Sequence, residues 1–107
     1  MVDVMVSARE AILTFNAFAK GEEASLAPFT LVVTGPGYDE DRGYFCRVLC
    51  PFFREQPYLI FGVDEAQACA LSIEFIRMRL KGNAELVDAQ GVPVVLPEII
   101  WNEPSKE

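Results

Sequence analysis

Three sets of residues in this sequence have side chains suited to chemistry: the cysteines at 46, 50 and 69, the run Asp39-Glu40-Asp41, and the charged residues Arg47 and Glu74 within apolar stretches. A cysteine acts as a nucleophile or metal ligand only as the thiolate, which needs a nearby cation or partial exposure. Cys50 precedes Pro51 and has Arg47 and Arg54 close in sequence, yet all three cysteines fall in apolar runs. They read as small buried hydrophobes in a reducing compartment. Cys46 and Cys50, four residues apart on a predicted strand, share a face about 13 Å apart, and a disulfide needs Cα atoms within about 7 Å. Their spacing also lacks the second ligand pair of a tetrahedral zinc site. The carboxylates of Asp39, Glu40 and Asp41 suit a hard cation or a basic partner. The run lacks the alternating oxygen ligands of a calcium loop, so it reads first as a solvated turn tip. Arg47 must snorkel to an edge or pair with a carboxylate. Glu74 reaches Arg77 or solvent.

The sequence holds no histidine, which removes the usual general base near neutral pH and the commonest metal ligand. Gly35-Pro36-Gly37 lacks the Lys-Ser/Thr that completes a phosphate loop. The expectation is therefore a non-enzymatic chain with no catalytic, cofactor-binding or metal-binding residues. Sixteen acids against nine bases give a net charge of -7. Such a field repels phosphate backbones, which argues against nucleic acid, and it speeds encounter with a basic protein. Solubility alone also explains it.

The elements that position these residues follow from the apolar pattern. The 107 residues are the common size for one domain, so residues 1–107 are expected to form a single α+β unit. No run is long and apolar enough to span a membrane. The acidic start, Met1-Val-Asp-Val-Met-Val6, does not read as a secretory signal, so a cytoplasmic address is expected. Alternation predicts a strand from Arg9 to Lys20, a turn at Gly21-Glu22-Glu23, and a strand from Phe29 that stops at Gly35-Pro36-Gly37. A third strand is expected over Tyr44 to Phe53, apolar on both faces and hence central and covered twice. Tyr58 to Val63 forms a fourth. The fold class is an antiparallel meander of about four to six strands with one long helix packed across one face.

The helix is bounded by Asp64 as N-cap, Gln67 as its capping-box partner, and Gly82-Asn83. Ala66, Cys69, Ala70, Ile73, Ile76 and Leu80 form one apolar stripe, and Ala68, Leu71, Phe75 and Met78 a second. A helix on one sheet needs only one such face. The second must be covered by the C-terminal segment or by another subunit. Leu86 to Leu96 reads as a hairpin turning at Asp88 to Gly91, Ile99-Ile100-Trp101 is an apolar cluster that should dock, and Asn102 to Glu107 is a polar tail.

Cys50-Pro51-Phe52, then Gly62-Val63-Asp64 with Gln67-Ala68, resembles a family of small uncharacterised bacterial proteins. In that family a CPF strand and a YGVDxxQA strand-to-helix junction recur, with a tryptophan near the C-terminus. Phe61 stands where that pattern has tyrosine, and Trp101 matches the terminal tryptophan. The resemblance covers the middle of the chain and implies a strand-rich sheet crossed by one long helix, with no activity attached. The same residues read as structure: Asp64 caps, Gly62 permits close approach, and Pro51 ends a strand.

The leading functional expectation is a self-associating module, a homodimer, using Leu71, Phe75 and Met78 with Ile99, Ile100 and Trp101. The alternatives are an acidic immunity or antitoxin-like inhibitor contacting a basic effector through Asp39, Glu40 and Asp41, and a small-molecule-binding domain.

Overall fold

The computed structural model describes residues 11–21 and 25–101. Arg9, Glu10, the turn residues Glu22 and Glu23, the Met1–Val6 stretch and the Asn102–Glu107 tail lie outside the described residues. Five strands, β1 (Ala11–Lys20), β2 (Leu26–Asp39), β3 (Gly43–Leu49), β4 (Tyr58–Gly62) and β5 (Glu85–Val87), form one antiparallel sheet in the order β4-β3-β2-β1-β5. The single helix among the described residues, α1 (Glu65–Leu80), lies between β4 and β5 in sequence and packs mainly on β4 and β3. The expected α+β meander with one helix on one face is what the chain forms. After the meander, α1 carries the chain back across the sheet so that β5 joins the far side of β1.

The core lies between the sheet and α1. Phe29, Leu31 and Val33 from β2 and Cys46 and Val48 from β3 face Cys69, Ile73, Ile76 and Leu80 of the helix, all buried. Removing that much apolar surface from water is the main term holding the layers together.

Three boundaries differ from the sequence reading. β2 does not stop at Gly35-Pro36-Gly37 but runs on to Asp39. Thr34 pairs with Arg47 and Gly37 with Phe45, so Gly35 and Pro36 together oppose Cys46 alone. This bulge accommodates the missing proline N–H, and the strand resumes beyond it. β3 ends at Leu49, before Phe53. The Cys50 carbonyl accepts the N–H groups of Phe53 at 3.0 Å and Arg54 at 3.2 Å, so Cys50 opens a turn and does not share a strand face with Cys46. Nor is β3 central and covered twice: it is second from the edge, and its outer face is only half-buried at Phe45 and Arg47 and exposed at Leu49.

The helix termini match the expected signals. Asp64 accepts the N–H of Gln67 at 2.7 Å, and Gln67 Oε1 accepts the N–H of Val63 at 2.7 Å. Gly82 has φ of 78°, the left-handed conformation that favours glycine after a helix. The buried face is rotated from the one expected. Ala66 and Ala70 are exposed, while Ala68 and Ser72 are buried, with Ser72 Oγ donating to the Ala68 carbonyl at 2.8 Å. Gly62 lies against the start of this face. A Cβ there would lie 2.6 Å from the Ala68 nitrogen, so the strand end and helix start touch through backbone.

The C-terminal hairpin is shorter than expected. β5 has three residues, and beyond it Val87 bridges Pro93 and the Val94 N–H donates to Leu86 at 3.0 Å. Asp88 Oδ1 accepts the N–H groups of Gln90 and Val92, both at 2.9 Å, which fixes the turn.

Candidate interaction surface

Exposed apolar side chains flank β4, the strand at one end of the sheet order. The register Val48↔Tyr58, Arg47↔Leu59 and Phe45↔Phe61 places Leu59 and Phe61 on the outer face and Tyr58 and Ile60 toward the helix. Leu59 is 40% exposed on one side of this edge and Leu71 of α1 is 39% exposed on the other. Between them the Tyr58 ring packs edge-on against Phe75, with centroids 4.7 Å apart. Phe75 is thereby half-buried within its own chain.

Two guanidinium groups converge on the same rings. Arg54 lies 3.9 Å from the Tyr58 centroid and is held there by bonds from Nε to the Gln56 carbonyl and from Nη2 to the Pro57 carbonyl, each 3.0 Å. Arg79 lies 5.3 Å from Phe53, 5.9 Å from Phe75 and 6.0 Å from Tyr58. Contacts of this kind stabilise by about 0.5–2 kcal/mol each. Neither arginine has a carboxylate partner among the described residues. The Tyr58 hydroxyl is buried without a hydrogen-bond partner among them.

The outer sheet face continues this surface. Phe45 and Phe61 pack with centroids 5.6 Å apart, and Arg42 lies 4.7 Å over Phe61. Arg47 stands between Thr34 and Leu59 in the register, half-buried, with no carboxylate partner among the described residues. It thus lies along the apolar face without the ion pair the sequence reading offered as one alternative.

The expected interface residues do not form one patch. Leu71, Phe75 and Met78 lie on α1, with Met78 63% exposed. Ile99 and Trp101 are half-buried against the core, and Ile100 is 81% exposed. Trp101 Nε1 donates to Glu65 Oε1 at 3.3 Å, and Arg77 Nη2 pairs with Glu98 Oε2 at 3.4 Å. The C-terminal segment therefore runs beside the helix on the Arg77 side. Arg77 is two residues, about 200° of helical turn, from Phe75. The described part of the C-terminal segment thus leaves Leu71 and Met78 exposed. Met78 instead lines a groove of about 520 Å³ with Leu80, Leu86 and Val94 to Leu96.

The remaining candidates are accounted for locally. Asp39 accepts the N–H of Asp41 at 2.8 Å and of Arg42 at 3.1 Å, and pairs with Arg42 Nη2 at 3.1 Å. These bonds, the Asp41 N–H first, hold its carboxyl below its ordinary pKa. Glu40 and Asp41 are exposed. Glu74 pairs with Arg77 at 2.7 Å, as its spacing suggested.

All three cysteines are free and buried. Burial pushes each thiol up, Cys69 to about 12, so none offers a thiolate near neutral pH. The sequence reading missed that Cys46 Sγ and Cys69 Sγ meet 3.7 Å apart between β3 and α1. Among the described residues no group of three or more Cys, Asp or Glu side chains is arranged to hold a metal, and no helix is long and apolar enough to cross a membrane. No protein-family model, curated protein or solved structure matches the chain.

Proposed function

We propose that this chain is a non-enzymatic module that works by self-association, as a homodimer. One observation supports this above the others: apolar side chains are exposed on both layers at the same sheet edge, Leu59 below and Leu71 above β4. A second copy would bury both, and C2 dimers are the commonest soluble assembly. The thiols, raised by burial, suit a structural role, and free cysteines suit a reducing, cytoplasmic compartment.

The contact for a basic partner through Asp39, Glu40 and Asp41 has less behind it. Asp39 is already neutralised by Arg42, which leaves two exposed carboxylates on a short turn. The groove beside Met78 supports a small ligand less well, because Arg77 on its rim is engaged by Glu74 and Glu98. Light scattering and sedimentation at tens of micromolar test the proposal. The expected mass is that of two chains, and a monomer across that range would overturn it.

A further inference from the structure

Native sheets blunt an open edge with charge, proline or a bulge, because its unpaired N–H and C=O groups otherwise recruit another strand. β4 has none of these within it: Tyr58-Leu59-Ile60-Phe61-Gly62 is uncharged, lacks proline and pairs with β3 without a register shift. What flanks it is polarised. At its start stand Arg54, fixed on the Tyr58 ring, and Arg79 over the same ring. At its end stand Asp64, exposed, and Glu65, with Arg42 over Phe61 engaged by Asp39. Glu55 at the basic end leaves two guanidinium groups against one carboxylate there.

A strand that is basic at one end, apolar in the middle and acidic at the other is complementary to its own copy when the two run antiparallel. Resting on the self-association reading, we propose that a second copy of the chain pairs with β4 about a two-fold axis at Ile60. The two five-stranded sheets then join into one of ten strands.

The register follows from the axis. Leu59 lies opposite Phe61 of the partner subunit on the outer face, an aliphatic–aromatic pair of the kind that stabilises antiparallel strands. Tyr58 lies opposite Gly62 of the partner subunit on the helix side. Gly62 has no side chain to crowd that ring, and its own contact with α1 forbids one. Beyond the strand ends the same register sets Gln56 opposite Asp64 of the partner subunit, so Arg54, bonded to the Gln56 carbonyl, comes beside that acid, while Glu55 falls opposite Glu65 of the partner subunit. The same axis brings the Leu71 flanks of the two helices toward each other. A foreign strand would satisfy the backbone of β4, but the charge order on either side of it selects the chain itself.

The register is read by cysteine pairing. Leu59→Cys and Phe61→Cys chains are made separately, mixed and oxidised with a mild oxidant of the disulfide class. Leu59 and Phe61 face outward, while Cys46, Cys50 and Cys69 are buried and protonated and do not compete. The mixture is expected to give a 59–61 linked dimer in high yield, with little from either chain alone, because same-residue partners lie diagonally at roughly 7–8 Å. In parallel, Arg54→Glu is expected to weaken the dimer roughly tenfold or more through like-charge contact with Asp64 of the partner subunit, and a circular dichroism melt checks that the variant is folded.

A dimer that persists while the mixture fails to cross-link overturns the edge pairing and leaves self-association standing through another face. A wild-type chain that stays monomeric overturns both. A chain that is monomeric alone, with β4 amides protected from exchange only in the presence of another protein, overturns the second copy as occupant.

Discussion

At the β1 side of the sheet, β5 pairs with Phe18 to Lys20, Asp88 locks the turn behind it, and Leu13 follows a register shift at Ala11. Lys20 adds a charge to that stretch. At the β4 side, five uncharged residues run straight along the edge with exposed leucines above and below. On the β1 side β5 covers Phe18 to Lys20, whereas no described strand covers any part of β4, which marks β4 as an edge where a partner strand can be accepted. Charge is distributed to match, since the arginines without carboxylate partners among the described residues, Arg47, Arg54 and Arg79, are on or beside β3, β4 and the rings of Tyr58 and Phe53.

The largest break in this comparison is expected at the junction that carries β4 into α1. Gly62→Val forces a side chain into the Ala68 and Gln67 backbone and should cost about 3 kcal/mol, read as a drop in the denaturation midpoint with an unchanged slope. Alkaline pH tests the interior under β3. The Cys69 pKa rises from 9.0 to about 12, because the buried site favours the neutral thiol. The unfolded chain therefore loses this proton first, and the stabilisation present below pH 9 should be lost progressively between pH 9 and about 12. Melting curves across that window check it, and Cys69→Ala should flatten this part of the pH dependence.

Smaller effects separate the two edges. Asp88→Ala removes two backbone bonds at the β5 turn and should cost about 2 kcal/mol, uncapping β1 while leaving the dimer constant unchanged. Amide exchange is expected to quicken at Phe18 to Lys20 and not at β4. Asp64→Ala removes the N-cap and should cost about 1 kcal/mol. Unlike Asp88→Ala, it should also weaken association, because it deletes the acid facing Arg54 of the partner subunit. Sedimentation of the two variants side by side distinguishes them.

The sequence conveyed local signals well. Asp64, Gln67 and Gly82 set the helix ends through neighbours at most four residues away, so a linear reading reaches them. The alternation in β1 and β2 showed strands because one face of each turns to the core, fully buried in β2 at Phe29, Leu31 and Val33 and partly in β1 at Leu13 and Phe15. What failed depended on distant parts of the chain. Gly35-Pro36 reads as a stop unless a partner strand is there to absorb the bulge. Which alanines of α1 face inward was not legible, since alanine carries too little apolar surface to orient a helix that has apolar residues on several sides, and the close Gly62–Ala68 approach appears only in the fold. The Cys46–Cys69 contact joins residues 23 apart and needs the topology. The bare edge was invisible for the same reason: strand order, not composition, leaves β4 outermost.

One contact described above also gives the chain an optical readout. The sequence contains a single tryptophan, and its indole N–H reaches Glu65 in the first turn of α1. Emission from this fluorophore reports from one place: where Trp101 lies against the first turn of the helix. A red shift that precedes the loss of helical ellipticity would time the undocking of that segment separately from global unfolding, with no label added.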